Sequence, residues 1–486
     1  MREISKVHEV LERSAELWPR HTALADDLGT LSYTALCEQA TAAEGQLRAA
    51  GVGPGQGVGV MARNGRAFVI AAFGGLRCGA TVLPMSPRLR PAELDGLLAA
   101  TQLHAVVDDR CPCAQAAFRE PCAPVDIPGG TPMAISRTGA DPARPCAPLV
   151  PDAAFIRFTS GTTGECKGVV LSHQDVLERT AAANRGLALG ADDAVIWVLP
   201  MAFHFFVSIV LYLRVAATIV VCPDHFAETI LDAAEEHRGT LLYASPLHYR
   251  LLAAEPSGRR FSTLARAIST AIALPPDVAR RFDARFGLPI TQAYGIIEVG
   301  LPLINLDAPR ERPESVGRPL PDYQVAILDD ALAPLPAGAE GQLGLRGPGM
   351  FAAYLSPAST RDQVLRNGWF LTGDVARQDA EGFVTIVGRR KSMINVAGNK
   401  VFPEEVEQVV ARHPGVAACR VAGRPHPQMG EVVHADVVLR DPAEPVAVDG
   451  LLSFCRRWLT SFKVPHSVAF VSEIAATASG KVRRHG

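Results

Sequence analysis

The chain has 486 residues, 48 of them basic and 50 acidic, and a net charge of −2 at neutral pH. With no basic block and no acidic tail, the balance offers no electrostatic footing for nucleic acid and no sign of a charged macromolecular partner. Almost half of the residues are apolar, enough for large cores, and the length allows roughly two to four domains or subdomains.

The start, Met1-Arg2-Glu3-Ile4-Ser5-Lys6, is polar and leads into an amphipathic segment with no apolar signal core. From Val7 to Leu47 the spacing predicts helix, a short strand near Leu31, and helix again. Val58–Met61, Ala80–Pro84 and Ala105–Val107 read as strands, with helices over Arg66–Cys78 and from Pro91 between them. Such alternation marks α/β units around a largely parallel sheet. Eight prolines between Pro121 and Pro151 suggest a surface connection (121–151) between subdomains.

The α/β rhythm then resumes, with helices near Gln174–Gly186 and Phe226–His237 and a strand at Thr240–Tyr243. The most apolar window, Phe203 to Cys222, is interrupted by His204, Ser208 and Arg214. It reads as buried helix and strand, so no membrane span is expected. Past Gly317, short strands separated by glycine turns suggest a small β-rich unit. A charged break at Gly388–Ser392 sets a domain boundary at 390/391, giving an N-terminal domain 1–390 and a C-terminal domain 391–486. Ten cysteines are present; Cys111, Cys113, Cys122 and Cys146 lack the paired spacing of a zinc site. Reduced, buried thiols in a cytoplasmic protein are the economical reading.

The densest chemistry lies in Thr159-Ser160-Gly161-Thr162-Thr163-Gly164-Glu165-Cys166-Lys167-Gly168, between two strand-like runs, with Ser172 a candidate N-cap just after. Glycines let backbone N–H groups turn toward an anion, hydroxyls donate, and Lys167 supplies compensating charge, so this is a phosphate-loop candidate. It is not a Walker A motif, which needs Gly-Lys-Ser/Thr. Further along, Tyr294-Gly295-Ile296-Ile297-Glu298 offers an aromatic face for a base and a carboxylate for Mg²⁺. Trp369-Phe370-Leu371-Thr372-Gly373-Asp374 reads as an aromatic-glycine turn ending in a carboxylate that can accept from both ribose hydroxyls. Lys481 sits in Ala478-Ser479-Gly480-Lys481 near the C-terminus.

Taken in order, these motifs resemble the acyl-adenylate-forming (AMP-binding) superfamily of acyl-CoA synthetases, aryl-CoA ligases and stand-alone adenylation enzymes. Thr159–Gly168 is similar to its TSGTTG-x-x-KG loop, Tyr294–Glu298 to YG-x-TE, Trp369–Asp374 to W-x-x-TGD, and Lys481 holds the lysine position of ASGK. Ser315–Pro319, Arg346–Pro348, and Gly388-Arg389 with Ile394–Glu407 match flanking signatures.

The resemblance implies an α/β fold with a large N-terminal domain, a small β-rich unit and a small mobile α+β C-terminal domain. It implies ATP, Mg²⁺ and a thiol as reactants: a carboxylic acid gives acyl-AMP and pyrophosphate, then a thioester with coenzyme A or the phosphopantetheine of a separate carrier protein. It assigns Lys167 to the β- and γ-phosphates, Glu298 to Mg²⁺, Asp374 and Arg389 to the ribose, Tyr294 to adenine, Lys391 to the hinge, and Lys481 to the carboxylate and α-phosphate.

Three places depart from the pattern. Ile297 replaces a threonine whose hydroxyl meets the α-phosphate; Thr270-Ala271 replaces a glycine pair beside the acyl pocket; and Ala475-Ala476-Thr477 lacks an upstream proline. The stretch Pro200-Met201-Ala202-Phe203-His204-Phe205-Phe206 carries no carboxylate to pair with an α-ammonium. An aryl or short to medium aliphatic acid, not an α-amino acid, is therefore expected, with Phe203, His204, His248, Thr270 and Ala271 as pocket candidates. For His204 and His248 a packed core histidine is the equal alternative. The departures also leave open a catalytically impaired nucleotide-binding homologue with a scaffold role.

Overall fold

The computed structural model describes residues 4–118, 123–126, 132–158, 167–396, 399–427, 429–444 and 446–474. Two compact units emerge. The larger holds the described residues up to Gln324 together with Arg346–Leu365; the smaller holds Val325–Leu345 and the described residues from Arg366 onward.

Two nine-stranded sheets organise the described residues of the larger unit. In the first, Thr22–Asp26, Thr218–Val221, Ala194–Trp197, Leu241–Ala244, Arg266–Ser269 and Ile290–Ile296 lie parallel, in that spatial order. Gly300–Ile304 continues it antiparallel beyond Ile290–Ile296. In the second, Leu103–Asp108, Gly57–Met61, Thr81–Met85 and Ala153–Phe158 are parallel, and Gly168–Ser172 returns antiparallel to Ala153–Phe158. Gly57–Met61 and Leu103–Asp108 are buried at every position, as strands of a sheet covered on both faces must be. The helix Arg66–Arg77 lends Phe68 and Phe73 to a ring cluster with Phe205 and Phe155.

The proline-rich span 121–151 is more than the surface connection its composition suggests. Ala123–Val125 and Met133–Arg137 extend the second sheet at its edge, and Met133 to Ser136 are buried. Both strands are short, and edge strands tolerate proline, so the prolines mask the alternation without preventing pairing.

The apolar window resolves into a helix Met201–His204, a π-helical turn Phe205–Ile209, a helix Val210–Arg214 and the strand Thr218–Val221. No described helix is long and apolar enough to cross a membrane.

In the smaller unit, Gln324–Leu328, Glu340–Arg346, Phe370–Gln378 and Val384–Arg389 form a sheet in sequential order. After the 3₁₀ turn Arg390–Ser392 comes a second sheet, built on the hairpin Val416–His426 and Gly430–Leu439. The helices Pro403–Val410 and Val448–Arg456 bury Val406, Val410 and Leu451 in a valine-rich core with Val421, Val433 and Val437. The architecture is the α/β class expected, with a small β-rich sheet and an α+β C-terminal part.

Candidate active site

Ala153–Phe158 and Gly168–Ser172 form a hairpin in which Phe158 faces Gly168. The loop residues Thr159, Ser160, Gly161, Thr162, Thr163 and Gly164 lie outside the described residues, as does Lys481. Lys167, where the loop rejoins the sheet, holds its Nζ 4.7 Å from the ring centroid of Tyr354, within cation–π range. The Tyr354 hydroxyl donates to Glu298 Oε1 at 3.1 Å. Burial, and then the Glu298 charge, push the phenol well above its ordinary pKa, so it remains a donor. A cation, a fixed hydroxyl and a carboxylate thus meet at the foot of the hairpin.

Glu298 is held there by its backbone. It occupies the turn between Ile290–Ile296 and Gly300–Ile304. The helix His173–Leu187 starts at the Ser172 N-cap, whose hydroxyl accepts from Asp175 N at 3.1 Å, and carries Arg179 on its inner face. Arg179 is fully buried. Its Nη1 donates to the Ile297 carbonyl at 2.9 Å, and its Nε and Nη2 donate to the Gly349 carbonyl at 2.8 and 2.5 Å. Burial pulls its pKa down, opposed by Tyr323, Asp175 and Glu298. Gly349 has φ +65°, and a Cβ there would lie 2.4 Å from the Asp175 carbonyl, so only glycine fits. The Phe351 amide closes the corner by donating to the Glu298 carbonyl at 2.7 Å. Tyr294 lies half-buried on the strand leading to Glu298, opposite Leu303. Sequence reasoning missed both Arg179 and Tyr354. Arg179 sits in the helix expected near Gln174–Gly186 without being singled out there, and Tyr354 lies just past the flanking signature Arg346–Pro348.

Among the described residues no group of three or more His, Cys, Asp or Glu side chains converges as a metal cage. A lone carboxylate fits Mg²⁺, which binds through one or two carboxylates, waters and substrate phosphates. Glu298 would hold it.

Of the acyl-pocket candidates, Phe203 and His204 lie on the helix Met201–His204, and Thr270 joins the same aromatic cluster through Tyr243. Trp197 stacks on Tyr243, its register partner on the adjacent strand, at 5.7 Å and 8°. His204 stands edge-on to both, at 5.6 and 6.2 Å. The Tyr243 hydroxyl bonds the Thr270 and Ser208 side chains. Ala271 has φ +76°, a left-handed backbone that costs an L-residue about 1–2 kcal/mol. Phe203 is half-buried, beside the Arg157 guanidinium at 5.1 Å. His248 is buried at the start of the helix Pro246–Ala254, where its Nδ1 lies 2.8 Å from Ser245 Oγ and accepts from Ser245 N at 3.3 Å. Burial, with a lesser push from His225, lowers its pKa to about 4.

In the smaller unit, Asp374 does not end a turn. The turn closes earlier, between Arg366 and Trp369, and Asp374 lies inside the strand Phe370–Gln378, opposite Arg389. Gly373 just before it has φ +78°, so the local turn chemistry sits within the strand itself. Arg389 Nε meets Asp374 Oδ1 at 2.6 Å. Lys391 is exposed in the 3₁₀ turn Arg390–Ser392.

Comparison with known proteins matches residues 11–355 to the AMP-binding enzyme family and residues 405–481 to the AMP-binding enzyme C-terminal domain. A sulfoacetate–CoA ligase from Cupriavidus necator is 32% identical over 97% of this chain and 95% of its own. A feruloyl-CoA synthase from an Amycolatopsis species is 32% identical over 97% and 96%. Among solved structures, ATP-bound MatB from Rhodopseudomonas palustris aligns with a TM-score of 0.82 at 25% identity, over 98% of this chain and 97% of that one. The amide bond synthetase McbA from Marinactinospora thermotolerans aligns with a TM-score of 0.82 at 26% identity, over 98% of each. With family models matching residues 11–355 and 405–481 and CoA ligases aligned over 97% of its length, the chain belongs to the AMP-binding enzyme family and to its ligases that activate a carboxylic acid with ATP, release pyrophosphate and pass the acyl group to a thiol.

Proposed function

We propose that the acid is an aryl or short to medium aliphatic carboxylate rather than an α-amino acid, and that the thiol is coenzyme A. The observation that carries this is the aromatic cluster in which the half-buried His204 stands edge-on to the buried Trp197 and Tyr243, on a stretch, Pro200–Phe206, that supplies no carboxylate for an ammonium group. The relatives support it: their names specify sulfoacetate, ferulate and, in Aromatoleum aromaticum, indoleacetate, each joined to coenzyme A. Every one of them carries a ligase or synthase name, which favours the catalytic reading over an impaired homologue. A free-standing carrier protein is the alternative acceptor to coenzyme A, and the cytoplasm the expected compartment.

The division of labour follows the charge. Negative charge builds on the phosphates as pyrophosphate departs, so catalysis is positioning and neutralisation. Lys167 meets the β- and γ-phosphates with the glycine loop. Glu298 would hold Mg²⁺, which when bound would draw charge from the phosphate oxygens. Tyr354 fixes Glu298 and keeps its own proton. Tyr294 lies against adenine, and Asp374 and Arg389 take the ribose. Lys481 bridges the acid carboxylate and the α-phosphate, and the chain turns about Lys391 between the half-reactions. The functional division at 390/391 belongs to this reading.

Acid-dependent exchange of labelled pyrophosphate into ATP tests it, with benzoate, phenylacetate, ferulate, hexanoate and sulfoacetate as the panel and amino acids as controls. Exchange with at least one panel acid, and thioester formation with coenzyme A, is expected. Exchange with amino acids alone overturns it. Lys481→Ala should abolish exchange yet leave thioester formation from supplied acyl-AMP largely intact.

A further inference from the structure

Arg157 is the last residue but one of the strand that enters the glycine loop, and no role above uses it. It shares a sheet face with Phe155, whose ring packs on Phe206. The guanidinium lies 5.1 Å from the Phe203 centroid and 5.9 Å from that of Phe206, and Nη1 donates to the Phe203 carbonyl at 2.5 Å. Nε is enclosed and has no hydrogen-bond partner among the described residues. Burial pulls the pKa down to about 10, opposed by Glu298, so the group stays charged at neutral pH.

A guanidinium that is only partly exposed, with its Nε enclosed and no paired anion among the described residues, is costly, since desolvation is repaid only by a well-placed partner. Glu298, the carboxylate whose charge acts on it, is committed to Tyr354 and to the metal role. The anion that completes Arg157 therefore comes with a reactant. It must approach the aromatic wall on one side, because Phe203 anchors the guanidinium, and the Glu298 corner on the other. A distal acidic group of the substrate would lie deep along the wall, away from Glu298. The β- and γ-phosphates belong with Lys167 on the loop side. The reacting carboxylate has to touch both regions.

We propose that Arg157 binds the reacting carboxylate of the acid before adenylation, a substrate contact that rests on the ligase reading above. In the step that follows, a carboxylate oxygen attacks the α-phosphorus, the new C(O)–O–P bond forms, and the bond to pyrophosphate breaks with its electron pair leaving on pyrophosphate. Arg157 keeps its proton throughout and loses its partner's charge as the mixed anhydride forms.

The test compares Arg157→Met and Arg157→Lys with the wild type, using the panel acid that gives the strongest exchange. Arg157→Met is expected to raise KM for the acid at least tenfold while KM for ATP stays within about twofold, and Arg157→Lys to recover part of the loss. The acyl-sulfamoyl adenosine analogue of that acid has no free carboxylate, its single charge lying on the acyl-sulfamate group in place of the α-phosphate, so its affinity should stay within about threefold. A parallel loss of analogue affinity, or a rise in KM for ATP matching that for the acid, would mean that Arg157 merely supports the wall or serves the phosphates, and overturns the assignment. Wild-type enzyme inactive on every acid would instead sink the ligase reading, which separates the two failures.

Discussion

Asp374 and Arg389 face each other across two adjacent strands, with the carboxylate 4% exposed and the guanidinium 50% exposed. Asp374 N also donates to Thr372 Oγ1 at 3.0 Å, which locks the strand kink beside it. A pair open to solvent on its cationic side contributes about 1 kcal/mol or less to stability. A carboxylate bonded to ribose hydroxyls is worth about 1.5–3 kcal/mol per bond. Asp374→Ala should therefore leave the melting temperature nearly unchanged and raise KM for ATP roughly ten- to hundredfold. An unchanged KM for ATP would make Asp374 a structural residue only.

The Glu298 corner separates two kinds of defect. Tyr354→Phe removes one hydrogen bond to a carboxylate and should raise the Mg²⁺ concentration for half-maximal exchange several-fold, with little loss of stability. Arg179→Met strands the Ile297 and Gly349 carbonyls inside the protein, at about 1–3 kcal/mol each. Urea unfolding should show that loss directly. A stable Arg179→Met with normal Mg²⁺ dependence would contradict the clamp.

Ala271→Gly relieves a left-handed alanine. The gain is offset in part by the freedom glycine adds to the unfolded chain, so a stabilisation of up to about 1 kcal/mol is expected. Thermal unfolding checks it; a clear destabilisation would mean that the alanine methyl makes packing contacts worth more than the strain.

Ile297 lies half-buried in a turn whose carbonyl is already held by Arg179, so threonine should fit without disturbing the corner. Supplying a hydroxyl to the α-phosphate should speed adenylation roughly tenfold or more. Single-turnover formation of acyl-AMP measures it. A slower variant would show that the isoleucine packs against the acid.

Two buried histidines give the protein an acid limit. Burial lowers His248 and His173 to about 4; for His173 the nearby Asp152 opposes the shift. His173 Nδ1 accepts from Val7 N at 3.0 Å, a bond that protonation breaks. Both folded values lie below the unfolded imidazole value of about 6.5, so the unfolded chain binds more protons in between. Stability is full above pH 6.5 and falls as the pH drops from 6.5 toward 4, by about 3 kcal/mol for each histidine. His248→Gln, which can still cap the helix, should roughly halve the slope in urea titrations; an unchanged slope would assign it elsewhere.

Much of this was legible because the motifs are local. Lys167, Glu298, Asp374 and Arg389 are marked by glycines and aromatics within a few residues. The strand Val58–Met61 and the helix from Arg66 follow directly from apolar periodicity. The strands at 123–125 and 133–137 were hidden because prolines dominate their surroundings and the pairing that orders them comes from Leu103–Asp108. Arg157 and Arg179 were hidden for a different reason. Each is a single cation in an apolar or amphipathic run, and its meaning comes from partners 46 and 118 residues away, Phe203 and Ile297.

The helix His173–Leu187 leaves the sheet directly after Ser172, and its second turn delivers Arg179 to the carbonyls beside Glu298. Each residue added to or removed from a helix swings everything beyond it by about 100°. Between Lys167 and Arg179 the chain can accordingly vary its side chains more freely than its length. A one-residue insertion there would aim the guanidinium at a different neighbour and leave the acidic corner unsupported, even with every motif intact.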